Sequence, residues 1–245
     1  MNWTGAFSYR CGQCGRCCHD QVITLSPVDL VAIARAAAIT TGAARARFTI
    51  RRGSILKFNP DGGCAALDGA RCTIHRGRPL ACRLYPLGLE RDGSDLRFVR
   101  LEPARDSAGV YGLNDTVGGF VAAQGVEERL ALNDRYRPLI ATLRDRAMSL
   151  LDFDAIEPRE FWRAAVREAL SEVTFDPNRL IDALFDADGA GCARASLEAT
   201  VAAHVARLAA IARREVRPAV AAAAAVMLAV SLGYAPAEAI GDRRG

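Results

Sequence analysis

Cys11, Cys14, Cys17 and Cys18 stand in one run, Cys-Gly-Gln-Cys-Gly-Arg-Cys-Cys, with His19 directly after it. Cys64, Cys72 and Cys82 follow, so seven of the eight cysteines lie in roughly the first third of a 245-residue chain. Thiolates are ligands for soft and borderline metals, and this spacing brings several sulfurs toward one place. The expected chemistry is a thiolate metal centre, with Cys11, Cys14, Cys17, Cys18, Cys64, Cys72 and Cys82 as candidate ligands.

A disulfide framework is the competing reading of a cysteine-dense stretch. The first ten residues carry neither a basic n-region nor an apolar h-region, so no secretory signal is read there. Cys17 and Cys18 are chain neighbours, which disfavours a strain-free bridge between them. The expected compartment is the reducing cytoplasm, where clustered cysteines point to metal or redox chemistry.

Cys11, Cys14 and Cys17 have the CxxCxxC spacing of a bacterial ferredoxin run, but Gln21 occupies the position of the fourth cysteine. The missing partner must come from Cys18, Cys64, Cys72 or Cys82. The CxxxCxxC triplet of radical S-adenosylmethionine enzymes fails at the same Gln21, which argues against that chemistry. In extended backbone Cys17 and Cys18 point opposite ways, so either one is a spectator or the pair divides between two sites. Seven thiolates are three more than one four-thiolate zinc or [4Fe-4S] cluster needs, and one short of two such sites. Sharing, a non-cysteine ligand or an open coordination position follows. His19 and His75 are the nearby histidines, read otherwise as polar neighbours of the site or surface residues. The ferredoxin-like triplet favours an iron-sulfur cluster of the [4Fe-4S] type, with zinc as the alternative.

Either group with four thiolates carries a formal charge near −2, which is costly to bury uncompensated. Arg10, Arg16, Arg71, Arg76, Arg78 and Arg83 lie beside the cysteines and read as a positive shell. Arg78 and Arg83 are the expected contacts to the cofactor, donating to sulfur or to carboxylates. Trp3, Phe7 and Tyr9 either cover the cluster or pack in the core.

The elements that must position these residues are short. Ser26 caps, Pro27 suits a first helical position and Asp29 suits a first turn, predicting a helix over 27–39 that ends at Thr40-Thr41-Gly42. Leu30, Ile33, Ala34 and Ala37 fall on one face, which should pack over the site. Asn59-Pro60-Asp61-Gly62-Gly63 predicts a turn between strands at 54–58 and 64–67. A second turn has Asp68-Gly69 at its tip, and a third hairpin joins 87–91 to 96–101. The cysteines are thereby placed on strands and turns. Segments this small bury too little to fold alone, and the metal supplies the missing free energy.

From about residue 125 helical periodicity appears, over 126–151, 158–173, 177–185 and 193–216, with Pro138 kinking or splitting the first. The expected fold class is α+β, mainly α: a cysteine-rich metal module at 1–118 packed on a helical domain at 119–245, the two able to form one unit. Cys192 and His204 fall in the helical half and read as ordinary core or surface residues.

Composition excludes more than it assigns. A formal charge of +4 from 32 basic and 28 acidic residues, spread along the chain, gives no basic run interleaved with aromatics, so nucleic-acid binding is not expected. The uncharged stretch at 218–237 approaches spanning length, but its body is alanine without Trp anchors, and it reads as a buried helix, not a membrane span. No GxxxxGK[ST] or GxGxxG pattern occurs, and no nucleophile-base pair is assigned.

The run at 11–18, together with Cys64-Ala-Ala-Leu-Asp-Gly-Ala-Arg-Cys72-Thr-Ile-His75-Arg-Gly-Arg78-Pro79-Leu-Ala-Cys82-Arg83-Leu-Tyr85-Pro86, resembles the bacterial CxxCxxCC cysteine-cluster family of the YkgJ type. The resemblance spans about 11–112 and implies zinc or iron chelation; flagellin lysine N-methylases are associated with that family. The chain departs from the family pattern at His75, where members often carry Tyr, and at 107–112, where many carry a Cys-Pro-Gly segment. Three functions follow as expectations: electron transfer or redox sensing with a redox partner, a zinc-binding structural or interaction module with a protein partner, and a lysine methylase-like enzyme.

Overall fold

Ser26 and Asp29 fix the start of the first helix. The Ser26 hydroxyl accepts the Asp29 amide at 3.2 Å while the Asp29 carboxylate accepts the Ser26 amide at 3.0 Å, a reciprocal capping box at the head of α1, Pro27–Ala37. Ala38 closes it in the left-handed region at φ 54°, two residues before the predicted end. Val28, Leu30, Val31, Ile33 and Ala34 are all fully buried, so α1 is enclosed on more than the one predicted face. Asp29 also accepts the Leu80 amide at 2.9 Å through its second oxygen, tying α1 to the segment that carries Cys82. Asp29→Ala removes the cap and leaves a buried amide unpaired. It should cost about 2–3 kcal/mol in urea denaturation, with Asp29→Asn recovering part of the loss.

The computed structural model describes residues 1–92, 95–112, 115–139, 141–142, 177–185 and 196–212. Thr40, read from sequence as part of a helix end, caps a new helix instead: α2, Thr41–Phe48, meets α1 at 97°. Three two-stranded antiparallel sheets follow. β1 (Thr49–Ile50) pairs with β2 (Ile55–Leu56), β3 (Leu67–Asp68) with β4 (Arg71–Cys72), and β5 (Leu87–Asp92) with β6 (Asp95–Arg100). The predicted turn at 59–63 forms, with the Gly62 amide on the Asn59 carbonyl at 2.9 Å. Its flanks meet in one bridge, Phe58–Cys64, because β1 pairs with one edge of β2 and the Ile23–Leu25 segment, bridged at Thr24–Ile55, takes the other. The third hairpin runs in register from Leu87 opposite Arg100 to Asp92 opposite Asp95.

α3, Leu80–Leu84, was not expected: Cys82 sits on a helix and not on a strand or turn. α4 (Val117–Ala123) and α5 (Val126–Asp134) follow, then helical backbone from residue 137, α6 (Pro177–Phe185) and α7 (Leu197–Ala212). The break ahead of Pro138 falls at Arg135–Tyr136, which leaves the proline in the first turn of the next helical stretch, where its missing amide costs nothing. Helices and small antiparallel sheets together make the chain α+β. The predicted helix at 158–173, the ends of those at 126–151 and 193–216, Cys192 and the uncharged stretch at 218–237 lie outside the described residues. Among the described residues no single helix is long and apolar enough to cross a membrane. The bent pair α1 and α2 passes by length and composition only.

Two apolar clusters hold these elements. The first joins α1 and α2 to Leu56, Cys64, Ala66 and Ile74, and takes Ile181 from α6. The second joins Phe7 and Tyr9 to Leu84, Leu87 and Phe98, and is closed by Phe120, Val121, Val126 and Leu130 of α4 and α5. Arg129, itself buried, donates to the Val28 carbonyl at 3.1 Å and links α5 to the head of α1. His204 is fully buried, with Tyr136 Oη at 2.9 Å from its Nδ1, a core position away from the cysteines.

Candidate metal centre

All seven cysteines of the first third line one cavity of about 440 Å³. Its walls come from the loop at 11–24, the head of α1, the β3–β4 hairpin and α3, with Tyr9, Tyr85 and Leu84 among the apolar surfaces. Four elements from two separate stretches of the chain thus bring to one place what the sequence showed as two motifs.

The loop carrying Cys11 to Cys18 is shaped by left-handed residues: Gln13 at φ 51°, Gly15 at 74° and Asp20 at 52°. Arg16–Cys18 form a turn of 3-10 helix. Cys17 and Cys18 are therefore not in extended backbone, the premise for pointing them apart fails, and both face the cavity. Backbone amides aim at the sulfurs. Gln13 N reaches Cys11 Sγ at 3.4 Å, Ala66 N reaches Cys64 Sγ at 3.5 Å, and the Ile74 amide bonds to Cys72. In each case the donor lies two residues after the cysteine, a local turn that prepares a sulfur to carry negative charge. Cys14 Sγ instead receives the Ala108 amide at 3.3 Å, across the chain.

Electrostatics separates the vicinal pair. A hydrogen bond from Cys18 holds the Cys17 thiol down at about 7, helped by Arg78 and His19, against the effect of burial. The same bond, followed by burial and by the charges of Cys17, Cys82 and Cys72, pushes Cys18 strongly up. Burial raises Cys64 and Cys72, and raises Cys82 further, where Cys64 and Cys72 add to it. In metal-free, reduced protein, Cys17 should be the thiol alkylated fastest by iodoacetamide at pH 7.5. Its rate should fall by half near pH 7 as the thiolate takes up a proton, while Cys82 reacts only on unfolding. Peptide mapping after a short pulse reads this directly; equal labelling of Cys17 and Cys82 would contradict it.

The arginine shell is smaller than the sequence suggested. Arg78 lines the cavity and bonds the Gln124 side chain and the His75 carbonyl. Arg83 does not line it. Its guanidinium donates to the carbonyls of Arg78 at 3.1 Å, Gln124 at 2.8 Å and Arg76 at 2.6 Å, stapling the 76–78 segment to the end of α4. Arg10, Arg16, Arg71 and Arg76 are exposed and outside the lining. The two histidines divide as well. His19 is exposed, with its Nδ1 at 3.1 Å from the Gly15 carbonyl, whereas His75 lines the cavity beside the Arg78 guanidinium. Burial, and then Arg78 and Arg83, push the His75 imidazole below its ordinary value, which favours its neutral form.

Residues the motifs did not single out for the site complete the walls. Gln21, noted as a missing ligand, faces the cavity, as does Asp29, whose carboxylate is already engaged by Ser26 and Leu80. Tyr85 is held by the Ala104 amide at 2.5 Å, and Tyr9 by a tilted ring contact to Tyr111. The signal for Gln21 was its place in the ferredoxin spacing, and for Tyr9 its place ahead of the cysteine run, where it read as cover or core; for Tyr85 as part of the wall only three-dimensional packing supplies one.

Among the described residues, no three Cys, His, Asp or Glu side chains converge as placed on a point that would hold a single metal ion. The donors ring a space instead. The donor set itself, thiols with aimed amides around a largely apolar cavity, fits a thiolate-bound metal group.

The CxxCxxCC family model, a putative zinc- or iron-chelating domain, matches residues 10–100. No curated protein matches the chain, and no solved structure does. A CxxCxxCC domain is therefore found at residues 10–100, bearing out the resemblance read from the two cysteine motifs and leaving 101–245 outside the match.

Proposed function

We propose that this protein carries an iron-sulfur cluster on the cysteines of its first third and uses it for electron transfer or redox sensing. The observation that carries this reading is the seven thiols arranged around a cavity and not about a point. Four thiolates on one zinc lie only about 3.8 Å apart, as follows from Zn–S bonds of about 2.3 Å in a tetrahedron. A [4Fe-4S] cluster spreads its four cysteines over the corners of a cube and needs the wider ring.

Such a cluster, when bound, supplies one-electron chemistry at a potential set by its surroundings. The chain's own residues do the setting. The amides of Gln13, Ala66, Ile74 and Ala108 place positive ends against sulfur. Arg78 adds a fixed positive charge, and Tyr9, Tyr85 and Leu84 keep water from the inner wall. Hydrogen bonds to sulfur and nearby cations favour the more reduced, more negative state, so both raise the potential.

Protein purified without oxygen should be brown, with a broad visible band and acid-labile sulfide matching its iron. A colourless protein with stoichiometric zinc would sink the proposal. The methylase-like alternative draws on the family resemblance alone.

A further inference from the structure

The cavity opens to solvent through a mouth without charge. The lining residues that reach the surface, among them Cys11, Gln13, Gln21, Val22 and Leu101, are all uncharged. Val22 is 80% exposed and Leu101 43%, so apolar side chains stand in solvent at the opening. Four arginines flank these positions. Arg10 precedes Cys11, Arg16 stands between Gly15 and Cys17, Arg71 between Ala70 and Cys72, and Arg76 follows His75, each beside a residue of the wall. The loops that carry them meet, since a Cβ at Gly15 would stand 3.1 Å from the Ala70 carbonyl oxygen. All four are exposed, and none is in an ion pair among the described residues, whereas Arg45 and Arg135 elsewhere are paired with Asp182 and Glu198. Asp20 and Asp68 are the acids of the same loops, against these four arginines and Arg78. Glu90, Glu102 and Asp106 come from the β5–β6 hairpin and the segment after it, so the basic excess belongs to the cysteine loops.

The imbalance extends beyond the mouth. Residues 1–100 hold 15 basic and 7 acidic residues, a formal +8, while 101–245 hold 17 and 21, a formal −4. The overall +4 conceals this division. A bound four-thiolate group of formal charge near −2 would still leave the first part positive.

From this placement we infer that the mouth of the cysteine cavity is a docking face for an acidic protein, a one-electron carrier with carboxylates around its own redox group. An uncharged centre with a charged margin is the anatomy of a protein interface. Arginines left uncompensated attract such a partner from a distance and fix its orientation. A nucleic acid would call for aromatic faces beside the arginines, and the exposed residues of the mouth include none. Cys11, exposed and part of the wall, brings the site to the surface on which the partner sits. The choice of an electron carrier rests on the function proposed above; the charge pattern does not depend on which metal is bound.

The test is binding of a bacterial flavodoxin, a small acidic one-electron carrier, to the full-length protein by isothermal titration calorimetry, with basic cytochrome c as the control. Flavodoxin should bind at low salt and weaken about tenfold or more between about 20 and about 300 mM NaCl, as screening shortens the reach of the charges. Cytochrome c should not bind. Arg16→Glu combined with Arg71→Glu should weaken flavodoxin binding about tenfold at low salt. Metal content and circular dichroism should stay native, since neither side chain lines the cavity. Arg47→Glu combined with Arg51→Glu makes the same change of net charge on α2 and the β1–β2 turn, and should alter binding by less than about threefold.

No binding of flavodoxin at low salt, an equal loss from the two pairs of substitutions, or tighter binding of a single-stranded oligonucleotide would each overturn the docking face. Should the variant at Arg16 and Arg71 fail to fold, the salt dependence and the cytochrome control of the native protein decide. The metal reports separately. A colourless, zinc-loaded protein that binds flavodoxin through Arg16 and Arg71 would refute the iron-sulfur reading and leave the face standing, and a brown protein indifferent to flavodoxin would do the reverse.

Discussion

Stripping the metal is expected to destabilise the cysteine module, lowering Tm by roughly 10–20 °C while leaving it folded at room temperature. The segments that ring the cavity are two-residue strands, 3-10 turns and a five-residue helix. None of these is stable alone, and two-stranded pairs are marginal even when longer. Metal binding to structural thiolate sites is worth about 10–16 kcal/mol in small zinc domains. A loss of only about 5 kcal/mol would produce the stated shift in a chain of this size. Hydrogen exchange locates the effect. Protection should fall most across 11–21 and 64–84, and persist longer in α6 and α7, which contain none of the seven cysteines. Cys72→Ser should reproduce much of the change, since Cys72 closes the β3–β4 pair opposite Leu67 as well as facing the cavity. Identical melting of loaded and stripped protein would show that the fold does not depend on the metal.

The second large effect is expected at a residue with no chemistry. Gly77 lies in the 3-10 turn His75–Gly77, against α1. A Cβ added there would run into the Ala32 carbonyl oxygen and stand 2.6 Å from Ala36 Cβ. One obstacle is helix backbone and the other a Cβ, so neither can rotate away. Gly77→Ala must therefore push the turn off α1, at a cost of roughly 3 kcal/mol. Because His75, Arg78 and Cys82 flank this contact, metal content should fall with stability. Gly69→Ala is the control: open space surrounds that position and only its φ of 58° resists a side chain, a cost of about 1 kcal/mol. If chemical denaturation found Gly77→Ala no worse than Gly69→Ala, the close approach to α1 would not be a constraint on the fold.

What could be read in advance was what is written locally. The Ser26–Asp29 cap, the turn at 59–63, the hairpin from Leu87 to Arg100 and the helix Pro177–Phe185 each depend on signals within a few residues, and each is found. α2, α3 and α4 were missed for separate reasons. α2 begins directly after α1, so its capping threonine reads as the end of one helix and not the start of another. α3 is a single five-residue turn whose first amide is held by Asp29, 51 residues away. α4 contains Gly118 and Gly119, poor helix formers; a Cβ at Gly119 would collide with the Asp115 carboxylate. The site followed the same rule. Thiols announce themselves by type and spacing, so their gathering was expected. Whether an arginine turns toward them or toward carbonyls is a matter of packing, and Arg83 turned away.

Three contacts reach the site from beyond residue 100: the Ala108 amide on Cys14, the Ala108 backbone against Gly12, and the Gly109 backbone against the Tyr9 ring, too close to admit a side chain at Gly109. The wall of the cavity is thus finished by a stretch that the family match does not reach. The recognisable unit and the portable unit have different borders. A fragment cut at residue 100, or the same span grafted into another host, would carry all seven cysteines of the cavity and still leave Cys14 without its amide and Tyr9 without its cover. To travel intact, the centre needs its downstream segment through α5, and the same should hold wherever a short cysteine signature is excised by its motif alone.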